Sequence, residues 1–155
     1  MPNATWRSRL SGSRWRRNPR GCLNAGQIEK NREAETAMTF PRRGEIYLVS
    51  FDPTIGHDIK KTRPAVVIQN DVSNEYSPVT IVAAISSRFA DPPHPREVPI
   101  RSGRNTGLSQ PSAVILNQIR SIDRQRLKGR LGALDAATML RVDDALKISL
   151  GMVKI

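Results

Sequence analysis

GEIYLVSFDPTIGHDIKKTRPAVVIQN, running from Gly44 to Asn70, is the stretch whose reading decides the fold. It holds two apolar runs, Glu45–Phe51 and Ala65–Ile68. Each is rich in Val, Ile, Tyr or Phe and is bounded by turn residues, so each predicts a strand. Between them runs a polar, basic segment containing Asp52, Gly56, His57, Asp58, Lys60, Lys61 and Arg63. Gly56 allows the backbone a positive φ, while Pro53 and Pro64 bracket the segment. A basic loop held between two buried strands is a common way of presenting a site.

Downstream, Asp71–Pro78 (DVSNEYSP) clusters Asn, Asp, Ser and Pro and reads as turn chemistry. Thr80–Ser86 (TIVAAIS) is almost continuously apolar and predicts a strand buried on both faces. Ser87–Arg96 is a loop with three prolines, and Glu97–Arg101 is a short strand. Pro99 puts that strand at a sheet edge, since it has no N–H to give a ladder. Gly103–Gln110 is a second loop. Ala113–Ile122 (AVILNQIRSI) predicts a long strand that turns polar halfway, and Asp123–Gly132 a basic connector. The end is helical: Asp135 can cap it, and Met139, Val142, Leu146 and Ser149/Leu150 form one stripe at three- and four-residue steps. Arg141, Asp144 and Lys147 occupy the other face. Several strands followed by one helix predict a mainly β domain, a small barrel-like sheet with a C-terminal helix packed on it.

Residues 1–37 differ in kind. They carry eight basic residues against three acidic ones, a net +5 of the chain's +11, and their apolar residues follow neither period, so the segment predicts a disordered basic leader. Three readings stand beside one another. It is an RNA-binding arm with Trp6 and Trp15 stacking among arginines, a transit-like leader, or a stretch that is not made because translation starts at Met38. The last is the reading adopted, with residues 38–155 as the functional domain.

A net charge of +11 and a pI near 11 call for an anionic partner, nucleic acid ahead of a membrane surface. The one cysteine, Cys22, can form no internal disulfide and fits a reducing compartment, the cytoplasm. No apolar run approaches the ~20 residues a membrane-spanning helix needs. Two isolated histidines and a core without cysteine argue against a zinc site. Scattered carboxylates argue against a two-metal nuclease, and no phosphate-binding or dinucleotide fingerprint is present. The prediction is therefore no metal and no cofactor.

A single-stranded nucleic acid needs a cationic groove and groups that read bases. Lys60, Lys61, Arg63, Arg88, Arg120, Arg124, Arg126, Lys128 and Arg130 can supply the cations. Tyr47 and Phe51 lie in a strand and are read as core, so base reading falls to hydrogen bonds. Cleavage of RNA by its own 2′-OH requires a base, donors for the crowded phosphorane and an acid for the leaving oxygen. Arg63 suits the second role, because its planar, permanently charged fork matches phosphate oxygens. Arginine is a poor proton acceptor in water, so His57, with Asp58 beside it, is the local candidate for the base; the competing reading is an exposed loop histidine.

The motifs DPTIG, TRPAVVIQND, IVAAIS, NQIRSID and the closing VDDALKISLGM, in that order from Arg43 onward, resemble the MazF/PemK (EndoA-type) toxin endoribonucleases. The resemblance implies an SH3-like small barrel, shared with the CcdB topoisomerase poisons. It further implies a homodimer, and a cognate antitoxin whose extended C-terminal tail fills the RNA groove. The implied activity is sequence-specific, metal-independent cleavage of single-stranded RNA, leaving a cyclic phosphate or 3′-phosphate and a 5′-hydroxyl. The family's essential arginine falls on Arg63. Its threonine at the end of the IVAAI strand falls on Ser86, and the acidic residue of its GSE-type loop on Asp58, with His57 in place of serine. Asn117 replaces the glutamate of the LEQIR-type motif, and Gln118 keeps the amide. Resemblance and residue chemistry together give Arg63, Ser86, Asp58 and His57 as the expected catalytic residues, and Lys60, Lys61, Ser87, Gln118 and Arg120 as the expected RNA-holding ones. Two rivals are a non-catalytic, CcdB-like topoisomerase inhibitor and an inactive paralogue that only binds its antitoxin.

Overall fold

The computed structural model describes residues 40–53, 56–57 and 61–154. The chain divides into two units, Met1–Thr39 and Phe40–Ile155. The leader and the 37/38 boundary lie outside the described residues.

Six antiparallel strands form one sheet: β1 (Glu45–Ser50), β2 (Thr62–Val67), β3 (Val79–Ser86), β4 (Glu97–Ile100), β5 (Ser112–Asp123) and β6 (Leu127–Ala133). Their order across the sheet is β4-β5-β3-β2-β1-β6. Among the described residues, two α-helices accompany the sheet, α1 (Asp71–Tyr76) and α2 (Ala136–Ser149). The mainly β class with a C-terminal helix is the observed one, and β4, with Pro99 opposite Ala113, is an edge strand.

Strands β2 and β3 are buried on both faces, because side chains alternate along a strand. Val66, Ile68, Ala83 and Ile85 join the larger core cluster, which α2 covers through Val142 and Ala145. Ala65, Val67, Val82 and Ala84 join a smaller cluster with Val49, Phe51 and Ile122. Val142 is fully buried, which contributes about 1.5–3 kcal/mol. A cavity of about 850 Å³ is lined by Pro99 and Ile100 of β4, Ala133 at the end of β6 and Thr138 of α2.

Three expectations change. Asp71–Pro78 contains a helix rather than only a turn: Asn70 caps it by accepting from the Ser73 N–H at 2.8 Å. The Asn/Asp/Ser chemistry that marks turns also caps helices, and six residues are too short to show a period. Asn74 of this helix is fully buried, and its Oδ1 accepts from the Thr80 hydroxyl at 2.7 Å and from the Gln69 amide at 3.0 Å.

The basic connector contains strand β6. Its pairing with β1 shifts register twice, between Ile46 and Tyr47 and between Leu48 and Val49, so no alternation shows in sequence. Gly132 lies in it because an added Cβ would stand 2.2 Å from the Asn105 carbonyl oxygen.

The helix stripe ends on Ser149, whose hydroxyl donates to the Leu116 carbonyl at 2.8 Å, and not on Leu150. Asp135 caps α2 by accepting from the Thr138 N–H at 2.7 Å, and Met139 and Leu146 pack on the core. Leu150 is 56% exposed. Gly151, at φ +70°, donates to the Ile148 carbonyl while the Met152 N–H donates to that of Lys147, a Schellman stop.

Candidate functional site

The site is built where β1, β2, β3 and β5 present their ends around the smaller core cluster. Arg63 lies on β2 directly across from Val49 of β1. By alternation it shares the face of Ala65 and Val67, yet it is exposed, because it stands past the edge of the buried cluster. The β2–β3 ladder pairs Ala65 with Ala84. Two residues further along each strand stand Arg63 and Ser86, on the same face as that pair. Ser86 is half-buried, and its Oγ accepts from the Arg88 N–H at 3.1 Å. Ser87 follows, exposed.

Strand β5 brings the next two residues. The ladder with β3 jumps from Ala84↔Ile115 to Ala83↔Ile119, so Leu116, Asn117 and Gln118 form a bulge. The bulge is held on both sides: the Leu116 N–H donates to the Arg96 carbonyl at 2.9 Å, and its carbonyl accepts from the Ser149 hydroxyl at 2.8 Å. Asn117 is exposed and Gln118 half-buried. Arg120 lies across from Val82, on the Arg63 face, and its Nη1 donates to the Phe51 carbonyl at 2.9 Å.

The basic loop joins this face at its described ends. The Phe51 N–H donates to the Lys61 carbonyl, and the Lys61 N–H to Asp52 Oδ1, both at 3.1 Å. Lys61 has φ +68° and is exposed. Gly56 takes φ +66°, the conformation a glycine allows, and His57 beside it is exposed in a turn. Asp58 and Lys60 lie outside the described residues. Arg63, Ser86 and Arg120 thus share one face of the sheet, with Gln118 two residues before Arg120 on β5 and Lys61 at the loop's return.

Two other cations named from sequence bond acceptors of the protein itself. Arg130 Nε donates to Glu45 Oε1 at 2.9 Å, and Arg126 Nη1 to the carbonyls of Ser50 (3.3 Å) and Asp52 (2.6 Å). Phe51 is 1% exposed and Tyr47 packs on the smaller cluster, so both are core. Burial, followed by the hydrogen bond its hydroxyl donates to Glu45 Oε2 at 2.9 Å, pushes the Tyr47 phenol up to about 12.

Sequence reading missed the residue that shapes the loop after Ser86. Glu97 Oε2 accepts from the N–H groups of Ala90 (3.2 Å) and His94 (3.1 Å), tying that loop to the edge strand. A lone glutamate at a strand start carries no signal for such a role. Among the described residues, no three His, Cys, Asp or Glu side chains gather as a metal-ligand set, and no helix is long and apolar enough to cross a membrane.

This geometry has close counterparts. Residues 42–150 match the family described as the PemK-like, MazF-like toxin of type II toxin–antitoxin systems. The endoribonuclease EndoA of Bacillus subtilis is 40% identical over 112 residues, covering 72% of this chain and 96% of its own. The endoribonuclease MazF of Staphylococcus epidermidis is 42% identical over 111 residues, covering 72% and 92%. MazF of Deinococcus radiodurans superposes with a TM-score of 0.64 at 27% identity over 74% of this chain and 99% of its own. In its MazE–MazF complex the TM-score is 0.60, at the same identity and coverage. With the arginine and the hydroxyl on one sheet face and the family's pattern matching residues 42–150, the chain belongs to the PemK-like, MazF-like toxins of type II toxin–antitoxin systems.

Proposed function

We propose that residues 38–155 form a sequence-specific, metal-independent endoribonuclease that cuts single-stranded RNA in the cytoplasm as the toxin of a toxin–antitoxin pair. The observation that carries this reading is Arg63: a permanently charged fork at the exposed end of a buried strand, on one face with Ser86 and Arg120. The named relatives are endoribonucleases, which favours cleavage over topoisomerase inhibition.

In the proposed reaction the substrate's 2′-oxygen attacks the adjacent phosphorus and loses its proton. The bond from phosphorus to the 5′-oxygen breaks, and that oxygen takes up a proton. A cyclic phosphate and a 5′-hydroxyl result. Arg63 spreads its N–H donors over the phosphorane oxygens, where charge builds up. Arg63 is also the proposed shuttle for the proton that the leaving oxygen takes up. Ser86 orients the phosphate through its hydroxyl. His57, with Asp58 beside it in sequence, is the proposed base, since an imidazole can accept the proton of the 2′-hydroxyl. Lys60, Lys61, Ser87, Gln118 and Arg120 hold the RNA, with the Gln118 amide able to read a base edge.

Two partners complete the proposal. A second copy forms a homodimer, and a cognate antitoxin lays its extended C-terminal tail over the same face. MazF of Deinococcus radiodurans, solved with MazE, supports the antitoxin.

The test is incubation of the purified protein with naked single-stranded RNA and mapping of 5′-hydroxyl ends. Discrete ends at one short sequence are expected. Ends no more frequent than in buffer alone would overturn the reading.

A further inference from the structure

The site has a scaffold of its own that neither the sequence pattern nor the chemistry of the cut identifies. Leu127 of β6 pairs with Val49 of β1, and Val49 pairs with Arg63 of β2. These three residues form one row across adjacent strands. Arg126 immediately precedes that row. It is half-buried at the end of a 3-10 turn (Arg124–Arg126), which Asp123 caps by accepting from the Gln125 N–H at 2.8 Å. From there its Nη1 reaches back 76 and 74 positions in sequence to the carbonyls of Ser50 and Asp52. Arg120 takes the carbonyl between them, that of Phe51.

Three consecutive carbonyls at the C-terminal end of β1 are therefore held by two guanidiniums. Charge-assisted hydrogen bonds are roughly twice as strong as neutral ones. The same end of β1 is the template for the chain's return. The Phe51 N–H donates to the Lys61 carbonyl, Asp52 Oδ1 accepts from the Lys61 N–H, and Ser50 pairs with Thr62. Whatever fixes Ser50–Asp52 fixes Lys61 and Thr62, and through them the position of Arg63.

We propose that Arg126 is a positioning residue for Arg63, acting through the Ser50 and Asp52 carbonyls to hold the neck of the basic loop in register with β2. It touches no substrate. A displacement of about 1 Å at a catalytic group can cost 10²-fold in rate, so an anchor at this distance has a catalytic consequence. The inference rests on the endoribonuclease reading for that consequence and on geometry alone for the anchoring.

The test uses the full chain with Arg126→Gln and Arg126→Lys. Amide hydrogen exchange at Phe51 and Lys61 is expected to speed up at least tenfold in Arg126→Gln, while the amides of β3 and β5 keep wild-type protection. On RNA, kcat is expected to fall at least tenfold with KM within about twofold. Arg126→Lys, which keeps one charged donor, is expected to recover part of both effects. Unchanged exchange at the neck overturns the anchoring, and so does an equal loss of protection throughout the sheet, which would make Arg126 a general stabiliser. Faster exchange at the neck with unchanged kcat overturns the positioning of Arg63. A wild-type protein that leaves RNA intact overturns the endoribonuclease reading and the catalytic consequence together, while the exchange data still decide the anchoring.

Discussion

Arg63 and Val49 face each other across the β1–β2 ladder, one exposed and the other with no accessible surface at all. The charged fork is thus carried at the rim of a packed core, where its backbone has little freedom. Removing the fork as Arg63→Ala is expected to cut RNA cleavage by about 10²–10³-fold, the cost of losing one preorganised donor to a developing oxyanion. Arg63→Lys keeps the charge and loses the planar fork, and is expected to recover only a fraction. Initial rates on a fluorogenic RNA check both. Wild-type rates in the alanine variant would remove Arg63 from the mechanism.

Ser86 has a hydroxyl on the same sheet face but no γ-methyl to stiffen χ1. Ser86→Thr is expected to match or exceed the wild-type rate. Ser86→Ala is expected to lose about 10–100-fold, the equivalent of one hydrogen bond to a charged group. A faster alanine than threonine variant would argue against any role for the hydroxyl.

Asn74 ties α1 to the sheet through Thr80 and Gln69 with full burial. Asn74→Ala leaves those partners unmatched and is expected to cost about 1–3 kcal/mol. Urea unfolding should show a lower midpoint at an unchanged slope, which separates lost stability from a change in the surface exposed on unfolding.

Asp135 caps α2 as a carboxylate, and its hydrogen bonds with Thr138 hold it below its ordinary value of 3.8. The folded form therefore binds this proton less readily than the unfolded form. Its contribution is complete above the unfolded value and disappears as pH falls through the lower folded one. Melting temperature measured from pH 6 to pH 2 should drop more steeply for wild type than for Asp135→Ala, with the two converging in acid. Parallel curves would show that the cap carries no pH-dependent stability.

Treatment with EDTA is expected to leave cleavage intact, because the proposed charge stabilisation comes from Arg63 and no three ligand-type side chains gather among the described residues. Loss of activity on chelation, restored by one added divalent ion, would assign the charge to a metal instead.

Much of this domain is determined by the sequence itself. The short, β-branched apolar runs of Glu45–Phe51, Ala65–Ile68 and Thr80–Ser86, each bounded by turn residues, point to strands, and their residues are buried in the sheet. Asp135 followed by a three- and four-step stripe dictates the closing helix. Arg63 before Pro64, next to the basic loop, is the candidate that the sequence singles out, although Thr62 and Arg63 already belong to β2 rather than to the loop.

Other features arise only in three dimensions. Strand β6 has two register shifts and a glycine required by the approach of Asn105, so its pattern exists only against β1. Turn-like Asp71–Tyr76 is a helix capped by Asn70 and tied to the sheet by the bonds of Asn74 with Thr80 and Gln69. Arg120 and Arg126 look like two more cations of a groove, and only the fold brings their guanidiniums to the carbonyls of Ser50, Phe51 and Asp52. A guanidinium's charge is written in the sequence, but which acceptors it meets depends on contacts some seventy residues away.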